Sequence, residues 1–439
     1  MTDGEGRAHG ASTTRLDPAA HAWMTAPETR AVLAALVASD AGGGAPSVRF
    51  VGGCVRDALA GLPVSDVDLA TDLEPPEVMR RLEAAGLRAV PTGLDHGTVT
   101  AVANHRPFEI TTLRRDVETD GRRAVVAYTH DWREDAQRRD FTFNALSAEP
   151  DGTLHDYFGG LADLAAGRVR FVGDADLRIR EDVLRILRFC RFHARFGRGA
   201  PEGADFEACI ARRDLLPQLS AERVHHEFTK LLAGDAPIAT LEAMIARGLL
   251  AHWLPEAAET DPLARLIQRE AGAGRRDWLR RLAVLIQPNA DGLGPGAAKA
   301  ARAVARRLKL SNQETKRLEG LADPAHRFAP TADAAAQREA LYRLGADRCW
   351  DLALLGAARA EAAGGDAAAW EALMAEARAW EPVDLPVSGA DALAAGLAPG
   401  PAVGAALAVV ERWWIEQGFA PDRRACLARL ERTIEAGAG

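Results

Sequence analysis

The sequence predicts an α+β protein in which strands occur only in roughly the first 160 residues and helices make up the rest. Short β-type runs alternate with helical segments before Gly159-Gly160. From Leu161 onward the chain is rich in Ala, Leu, Arg and Glu. The chain has 439 residues, 48% of them hydrophobic, which is too many for one typical domain. We therefore expect two to four compact units.

The N-terminal elements follow from local periodicity and from glycine and proline breaks. The predicted order is a helix over Glu28–Ser39, a strand over Ser47–Val51, a helix over Cys54–Ala60, a strand over Asp66–Ala70, a helix over Glu77–Ala85, and paired strands over His96–Val102 and Phe108–Leu113. Residues 1–25 have no signal-type apolar stretch and are expected to form a loose tail. The charged stretch Arg115–Arg138 has little periodicity and is expected to be a mobile loop.

The composition argues against several classes of protein. The net charge of −8 lacks the basic signature of a general nucleic-acid binder, so RNA contacts would use local patches. The five cysteines are far apart and form no CxxC pair. This predicts neither zinc nor disulfides and favours reduced thiols in a cytoplasmic protein. No apolar run approaches the length of a membrane span, so no membrane partner is expected.

The most informative pattern is Asp66-Val-Asp68, which follows a Gly52-Gly53 turn and Arg56. Strand side chains alternate between faces, so both carboxylates are expected on one face, where they can hold Mg²⁺ and leave coordination positions for phosphates. The glycines allow backbone N–H groups to approach a phosphate chain. Together these features indicate a metal-dependent enzyme acting on a nucleoside triphosphate. Glu109 is a candidate third ligand, although an exposed strand glutamate explains it equally well.

A second charged segment contains Arg138 and Arg139 next to Asp140, before the alternating Phe141 and Phe143. An arginine pair can clamp a phosphate through bidentate contacts. A solvated charge cluster before a buried element fits the same pattern equally well.

The segment Arg180–Phe192 has the apolar spacing of a single amphipathic helix. Seven arginines and two acidic residues lie between Arg178 and Arg198, an excess that favours a polyanionic neighbour. Asp182 could accept a hydrogen bond from the amino group of cytosine or adenine, while Arg185 donates to the adjacent ring nitrogen. Uracil and guanine present the opposite polarity and would leave both side chains unsatisfied. An i,i+3 salt bridge within the helix is the alternative interpretation.

The segment Leu219–Leu232 begins with a good helix N-cap, Ser220, and an acidic residue, Glu222, in the first turn. These features favour a structural role. His225 and His226 have no accompanying set of metal ligands and are expected to lie on the surface.

Taken in order, these segments resemble the class II tRNA nucleotidyltransferase family, which includes CCA-adding enzymes and bacterial poly(A) polymerases. The motifs that carry the resemblance are Val51-Gly-Gly-Cys-Val-Arg-Asp57, Asp66-Val-Asp68, Phe108-Glu-Ile-Thr-Thr-Leu-Arg114, Arg138-Arg-Asp-Phe-Thr-Phe-Asn-Ala145, Tyr157-Phe-Gly-Gly160, Glu181-Asp-Val-Leu-Arg185 and Ser220-Ala-Glu-Arg223. The resemblance implies a head with the polymerase-β-like nucleotidyltransferase fold over residues 26–160. It further implies an all-α neck over 161–235 and an all-α body and tail over 236–439, which we expect to bind tRNA.

The resemblance also implies roles for individual residues. Asp66 and Asp68 would be catalytic and would hold Mg²⁺. The nucleotide would be bound by Gly52, Gly53, Arg56, Arg139, Asp182, Arg185, Arg188 and Arg191. Within that set, Asp182 and Arg185 correspond to the family's protein template for incoming CTP and ATP. The Arg115–Arg138 stretch corresponds to a flexible loop linked to the switch from C to A addition.

The resulting hypothesis is template-independent addition of C, C and A to the 3′ end of tRNA from CTP and ATP, by two-metal in-line transfer that releases pyrophosphate. The segment Gly93-Leu-Asp-His-Gly-Thr-Val-Thr100 looks like the CCA-adding form. The alternatives are a poly(A) polymerase or A-adding enzyme of the same family, and a non-catalytic RNA-binding protein that retains the fold. Nucleotidyl transfer to a small molecule would leave the long helical region unexplained.

Overall fold

The computed structural model describes residues 15–37, 47–120, 123–287 and 295–437. The chain divides into two compact units, Met1–Leu249 and Leu250–Gly439. The predicted α+β class is confirmed, since every described strand lies in the first unit. The boundary between the units falls later than the expected division at residues 235 and 236, because the helix Ile238–Ala246 packs within the first unit.

The first unit contains the sheet and the helices that surround it. Its strands are β1 (Val48–Val51), β2 (Asp68–Thr71), β3 (Arg88–Gly93), β4 (Thr98–Ala103), β5 (Arg106–Thr112), β6 (Arg114–Asp120), β7 (Arg123–Tyr128), β8 (Ser147–Ala148) and β9 (Leu154–His155). Its helices are α1 (Ala22–Thr25), α2 (Pro27–Val37), α3 (Gly53–Leu59), α4 (Pro75–Ala84), α5 (Trp132–Gln137), α6 (Gly160–Ala166), α7 (Ala175–Glu181), α8 (Leu184–Phe196), α9 (Ala204–Ala211), α10 (Ala221–Leu232) and α11 (Ile238–Ala246).

Seven strands form one sheet in the order β3-β4-β5-β2-β1-β8-β9. All neighbours are antiparallel except β2 and β5, which run parallel and place Asp68 opposite Glu109. Along β4, Val99 and Ala101 are buried and alternate with partly exposed residues, as expected for a strand with one face on the core. The amphipathic helices α2 and α4 pack against β4. The sheet therefore holds β2 and β5, and the polar side chains on them, in fixed positions.

The prediction of a loose tail over residues 1–25 is wrong for residues 15–25, while residues 1–14 lie outside the described residues. Leu16 and Met24 are buried, and the Leu16 amide donates to the Gly152 carbonyl at 2.8 Å. Gly152 has a φ of +93°, and a Cβ at that position would lie 1.9 Å from the Leu16 carbonyl oxygen. A few buried apolar side chains are enough to dock a segment that sequence composition describes only as polar.

The prediction of a mobile loop over Arg115–Arg138 is also wrong for its described part. Strands β6 and β7 form a two-stranded hairpin from the pair Arg114 and Tyr128 to the pair Asp120 and Arg123. Helix α5 follows, and its N-cap Asp131 accepts from the Arg133 amide at 2.8 Å. The charged sequence of β6 concealed a strand that is defined by its backbone pairing with β7.

The predicted single helix over Arg180–Phe192 is interrupted. Helix α7 ends at Glu181, and α8 begins at Leu184. Between them Asp182 is extended, with φ −152° and ψ 104°. The apolar spacing persists across this break, so periodicity alone could not reveal it.

The second unit is helical throughout its described residues. Its helices are α12 (Asp261–Ala273), α13 (Trp278–Leu285), α14 (Pro295–Arg307), α15 (Asn312–Ala322), α16 (Ala334–Leu344), α17 (Ala346–Ala362), α18 (Ala368–Ala379), α19 (Gly389–Ala394), α20 (Pro401–Glu416) and α21 (Arg423–Gly437). An ion network is buried in this unit, in which Glu270 accepts from Arg281 Nε at 2.6 Å and from Arg280 Nη2 at 2.9 Å. None of the helices in the described part of the chain is long and apolar enough to cross a membrane.

Candidate active site

An open cleft of about 420 Å³ in the first unit brings together residues from distant parts of the sequence. It is lined by Val51, Gly52, Gly53, Arg56, Asp68, Glu109, Thr111, Arg114, Arg138, Arg139, Asp140, Asn144, Asp182, Arg185, Arg188 and Phe192. The structure therefore gathers most of the predicted site residues in one place. Asp66 and Arg191 are the two predicted residues that do not line the cleft.

A turn between β1 and α3 forms one wall of the cleft. Gly52 has φ +69°, and a Cβ there would lie 3.1 Å from Arg139 Nη1. Both constraints favour glycine, because other residues rarely adopt this backbone conformation. Gly53 begins α3, and a Cβ there would lie 3.8 Å from Arg56 Nη2. The Gly52 amide donates to the Leu146 carbonyl at 3.3 Å, which fixes the turn at the edge of the cleft.

Arg56 on α3 is largely committed to contacts within the protein. It is 7% exposed, and it donates through Nη1 to Asn144 Oδ1 at 2.6 Å and through Nε to Asp57 Oδ1 at 2.8 Å. Its guanidinium also lies over the rings of Phe192 and Phe196 at 5.0 and 4.9 Å. Arg56 therefore ties the glycine turn to α8 and retains only part of its donor capacity for a ligand.

Two carboxylates lie side by side where β2 and β5 face the cleft. Asp68 begins β2 in register with Glu109 on β5, and both line the cleft. Burial raises the pKa of Asp68 to about 6, and the nearby charge of Glu109 adds to this effect. Asp66 precedes the strand and is exposed, with its carboxylate 3.0 Å from Ser65 Oγ, yet its charge also raises the Asp68 pKa.

The carboxylates fit a hard divalent cation. Within the described residues, no three His, Cys, Asp or Glu side chains converge as a complete metal cage. Mg²⁺ is usually held by only one or two carboxylates together with water and substrate phosphates. Asp68 and Glu109 would supply such a pair, and a bound cation would relieve their mutual repulsion. The predicted second carboxylate, Asp66, precedes β2 and is exposed, as is Glu109, whereas Asp68 is partly buried.

Arg138 and Arg139 are both oriented by Asp135 at the end of α5. Arg138 Nε donates to Asp135 Oδ1 at 2.9 Å, and Arg139 Nη2 donates to Asp135 Oδ2 at 3.3 Å. Burial alone would raise the pKa of Asp135, but the two arginines lower it below its ordinary value. The cluster is therefore an ordered wall of the cleft rather than a solvated group of charges.

Asp182 and Arg185 form no ion pair with each other, so the i,i+3 interpretation is wrong. Asp182 Oδ1 accepts from the Leu184 amide at 3.1 Å, and Oδ2 accepts from Arg223 Nη2 at 2.7 Å. Arg185 Nη1 instead donates to Glu181 Oε2 at 2.6 Å. Each member of the pair is held by a different partner, while both line the cleft.

The two remaining arginines of α8 differ in their positions. Arg188 lines the cleft and pairs with the buried Asp140. Arg191 donates to Glu227 Oε2 at 2.5 Å and lies 4.0 Å from the centre of the Phe192 ring. It is buried behind the cleft, where it joins α8 to α10.

Comparison with known proteins shows the family to which this architecture belongs. Residues 48–170 match the family model of the poly A polymerase head domain, and residues 204–260 match that of the probable RNA- and SrmB-binding site of polymerase A. The CCA-adding enzyme of Limosilactobacillus fermentum is 32% identical over 401 residues, which is 88% of this chain and 93% of that protein. The chain belongs to the CCA-adding tRNA nucleotidyltransferase family.

Two further relatives agree with this family assignment. The mitochondrial CCA tRNA nucleotidyltransferase 1 of Danio rerio is 40% identical over 271 residues, a match that spans 61% of each protein. The crystal structure of the Bacillus stearothermophilus CCA-adding enzyme in complex with CTP has a TM-score of 0.69 at 28% identity. That similarity covers 90% of this chain and 94% of the Bacillus chain.

Several residues that hold the side chains in and behind the cleft of this CCA-adding family member were missed by sequence reasoning. Arg223 was placed in a structural helix, yet it holds Asp182. Asn144 links Arg56 to Asp140, and Glu227 neutralises Arg191. Arg223 and Asn144 belong to recognised motifs, so a signal for both was present. Their partners become visible only when distant segments meet in three dimensions.

Proposed function

We propose that this protein adds C, C and A to the 3′ end of tRNA, using CTP and ATP with Mg²⁺ and releasing pyrophosphate. The observation that carries the proposal is the pair Asp182 and Arg185, held apart by separate partners in the same cleft as the glycine turn and the Asp68 carboxylate. The cleft thus offers a base-selecting end and a phosphate-binding end.

The base-selecting end supports the use of both C and A. A carboxylate has about four acceptor positions, so Asp182 retains some after binding Leu184 and Arg223. Arg185 retains donors beyond those bound to Glu181 and the Arg178 carbonyl. An acceptor beside a donor matches the amino group and ring nitrogen of cytosine or adenine. Uracil and guanine would leave these partly buried groups unsatisfied, at a cost of about 1–3 kcal/mol per group.

The phosphate-binding end supports nucleotidyl transfer. The Gly52-Gly53 backbone and the Arg139 guanidinium would orient the triphosphate, while Asp68 and Glu109, with Asp66 beside them, would hold the metal. When bound, Mg²⁺ supplies neutralisation of charge on the phosphates and activation of the attacking hydroxyl, with two ions proposed. The tRNA 3′ oxygen would form the new bond to the α-phosphorus as the bond to the β-phosphate oxygen breaks.

We further propose that the helical regions beyond residue 160 contact the tRNA and that the protein is cytoplasmic. The match to an RNA-binding family model over residues 204–260 supports the first statement. The five cysteines, all described, are buried and form no disulfide, which supports a reducing compartment. Fractionation of cells that produce the tagged protein would test the location.

The decisive experiment is nucleotide incorporation into a tRNA transcript that lacks its last three nucleotides. Labelled CTP alone, ATP alone and both together would be supplied with Mg²⁺. We expect two C additions followed by one A, and no addition by Asp68→Ala. Addition of A alone, or of long A tracts, would instead identify an A-adding enzyme or a poly(A) polymerase. Binding of tRNA without any incorporation would identify a non-catalytic RNA-binding protein.

A further inference from the structure

In the described part of the second unit, one buried arginine has a side chain without a counter-charge. Arg359 on α17 is 9% exposed, and its buried Nη2 has no hydrogen-bond partner among the described residues. Burial lowers its pKa to about 10, with no neighbouring charge contributing to the shift. Buried charges in proteins are normally paired, because an isolated one is costly. Two other buried arginines of this unit, Arg280 and Arg281, both form ion pairs with Glu270.

Arg359 lines two cavities of different character. The smaller, of about 240 Å³, is also lined by Gln287, whose side-chain amide atoms are buried and have no partner among the residues that the structure describes. The larger is an open groove of about 690 Å³ whose walls are mainly apolar and aromatic. Phe328, Leu352 and Trp370 are among its lining residues. The groove therefore combines an aromatic surface with a donor that lacks an acceptor.

The Trp370 ring packs against α17 at Gly356. A Cβ at Gly356 would lie 2.3 Å from the Trp370 ring, so only glycine admits the indole against the helix. Glycine inside a helix costs about 1 kcal/mol relative to alanine. This cost falls at a position where the absence of a side chain lets the Trp370 ring approach the helix.

The N-terminal part of α17 lines a second cleft, of about 780 Å³, which is basic. The cationic residues that line it are Arg275, Arg276, Arg280, Lys316, Arg317 and Arg348, and the acidic ones are Asp277, Asp347 and Asp351. Lys316 and Arg348 have no carboxylate partner among the described residues. Arg348 precedes Arg359 by three helical turns, about 16 Å along the axis. This cation excess, in a chain of net charge −8, suits the phosphates of a nucleic acid.

We propose that the groove at Arg359 and Trp370 binds one unpaired base of the RNA substrate, while the basic cleft holds neighbouring phosphates. This inference rests on the proposed tRNA substrate. Trp370 would stack on the base, and Arg359 would donate to acceptors on its edge. The best match for a guanidinium is the N7 and O6 pair of guanine. A phosphate is the poorer occupant of the groove, because its walls are mainly apolar and the exposed Asp323 offsets one of its two cations, Arg327 and Arg359.

The test compares tRNA binding by the full-length protein and its variants at several salt concentrations. Arg359→Met and Trp370→Leu are expected to weaken binding by about tenfold at every salt concentration, because stacking and base contacts are largely independent of counterions. Lys316→Ala and Arg348→Ala are each expected to lower the slope of log K against log salt by about one. Arg302→Met is the matched control, since Arg302 is an exposed arginine of the same unit paired with Glu319.

Stability separates a binding role from a structural one. Because Arg359 has no partner to leave behind, Arg359→Met is expected to match or exceed the wild-type thermal midpoint while losing tRNA affinity. If that variant does not fold, Trp370→Leu and single-stranded hexamers with a central guanine or uracil decide the question. The wild type is expected to prefer the guanine hexamer, and Trp370→Leu is expected to weaken binding of both hexamers, because stacking does not distinguish the bases.

The proposal is overturned if Arg359→Met and Trp370→Leu bind tRNA as tightly as the wild type. It is also overturned if both variants lose affinity equally for inorganic polyphosphate, since that result would assign the groove to phosphate. The proposed function is judged separately, by whether the wild-type protein adds C, C and A to the same tRNA. A wild type that adds CCA, with variants of unchanged affinity, refutes this inference alone.

Discussion

The arginines of α8 and the arginine of α17 show two opposite uses of positive charge. On α8, Arg185, Arg188 and Arg191 all pair with carboxylates outside that helix, namely Glu181, Asp140 and Glu227. On α17, Arg359 is buried with no partner in the described residues. A paired arginine is held in one orientation and can select a ligand by geometry. A buried arginine without a partner lowers the stability of the free protein, and a ligand that pairs with the arginine can restore that stability.

The largest expected effect comes from removing a charge in the cleft that no neighbour can replace. Asp68→Asn should lower nucleotide incorporation by about a thousandfold or more, because the metal-binding pair would lose one of its two carboxylates. The measurement is steady-state incorporation of CTP into tRNA. Glu77→Gln, which neutralises a partly exposed carboxylate that pairs with Arg80 and Arg81 on α4, is the control and should retain full activity. Comparable losses in both variants would show that Asp68 has no special role.

Removing the partner of paired buried arginines should have a large effect on stability. Glu270→Gln would leave Arg280 and Arg281 without their shared carboxylate and should lower the free energy of unfolding by about 3–5 kcal/mol. Urea unfolding followed by circular dichroism measures this change. Glu319→Gln, which breaks an exposed pair with Arg302, should cost less than about 1 kcal/mol. Equal effects of the two substitutions would contradict the distinction between buried and exposed pairs.

An effect of intermediate size is expected from a buried histidine whose hydrogen-bond partner is a neutral hydroxyl. His193 is buried with Nδ1 2.9 Å from Thr240 Oγ1, and burial lowers its pKa to about 4. The unfolded chain has the ordinary histidine pKa of about 6.5, so it binds a proton more readily than the folded chain. Stability should therefore be full above pH 6.5 and fall by about 3 kcal/mol as the pH decreases to 4. His193→Gln should show a shallower pH dependence in urea unfolding, and an unchanged slope would assign the effect to other groups.

The smallest expected effect tests how a positioned pair selects its substrate. Arg223→Ala would free one oxygen of Asp182 and should lower kcat/KM for CTP by about tenfold while reducing discrimination against UTP. Arg223→Lys should restore part of this discrimination. Arg180→Ala, which breaks an exposed pair with Asp176, is the control. A loss of activity that is identical for CTP and UTP would point to a purely structural role for Arg223.

The ordered motifs predicted the fold class and most of the residues in the cleft, because glycine turns and alternating strands are local features. The hairpin β6–β7 was not predicted, since its stability depends on pairing between two strands that each look irregular alone. The break before α8 was also missed, because the apolar spacing continues through Asp182. Arg359 gave no sequence signal at all. Its lack of a partner is a property of three-dimensional packing.

Under the proposed function, the break between α7 and α8 also limits how substrate choice can evolve. Asp182 and Arg185 each depend on a partner of opposite sign, Arg223 and Glu181. Exchanging the acceptor and donor to favour U and G would place like charges against both partners. A functional change of preference therefore requires four coordinated substitutions, and the single and double intermediates would carry unpaired or repelling charges. This coupling makes the choice of C and A resistant to gradual drift.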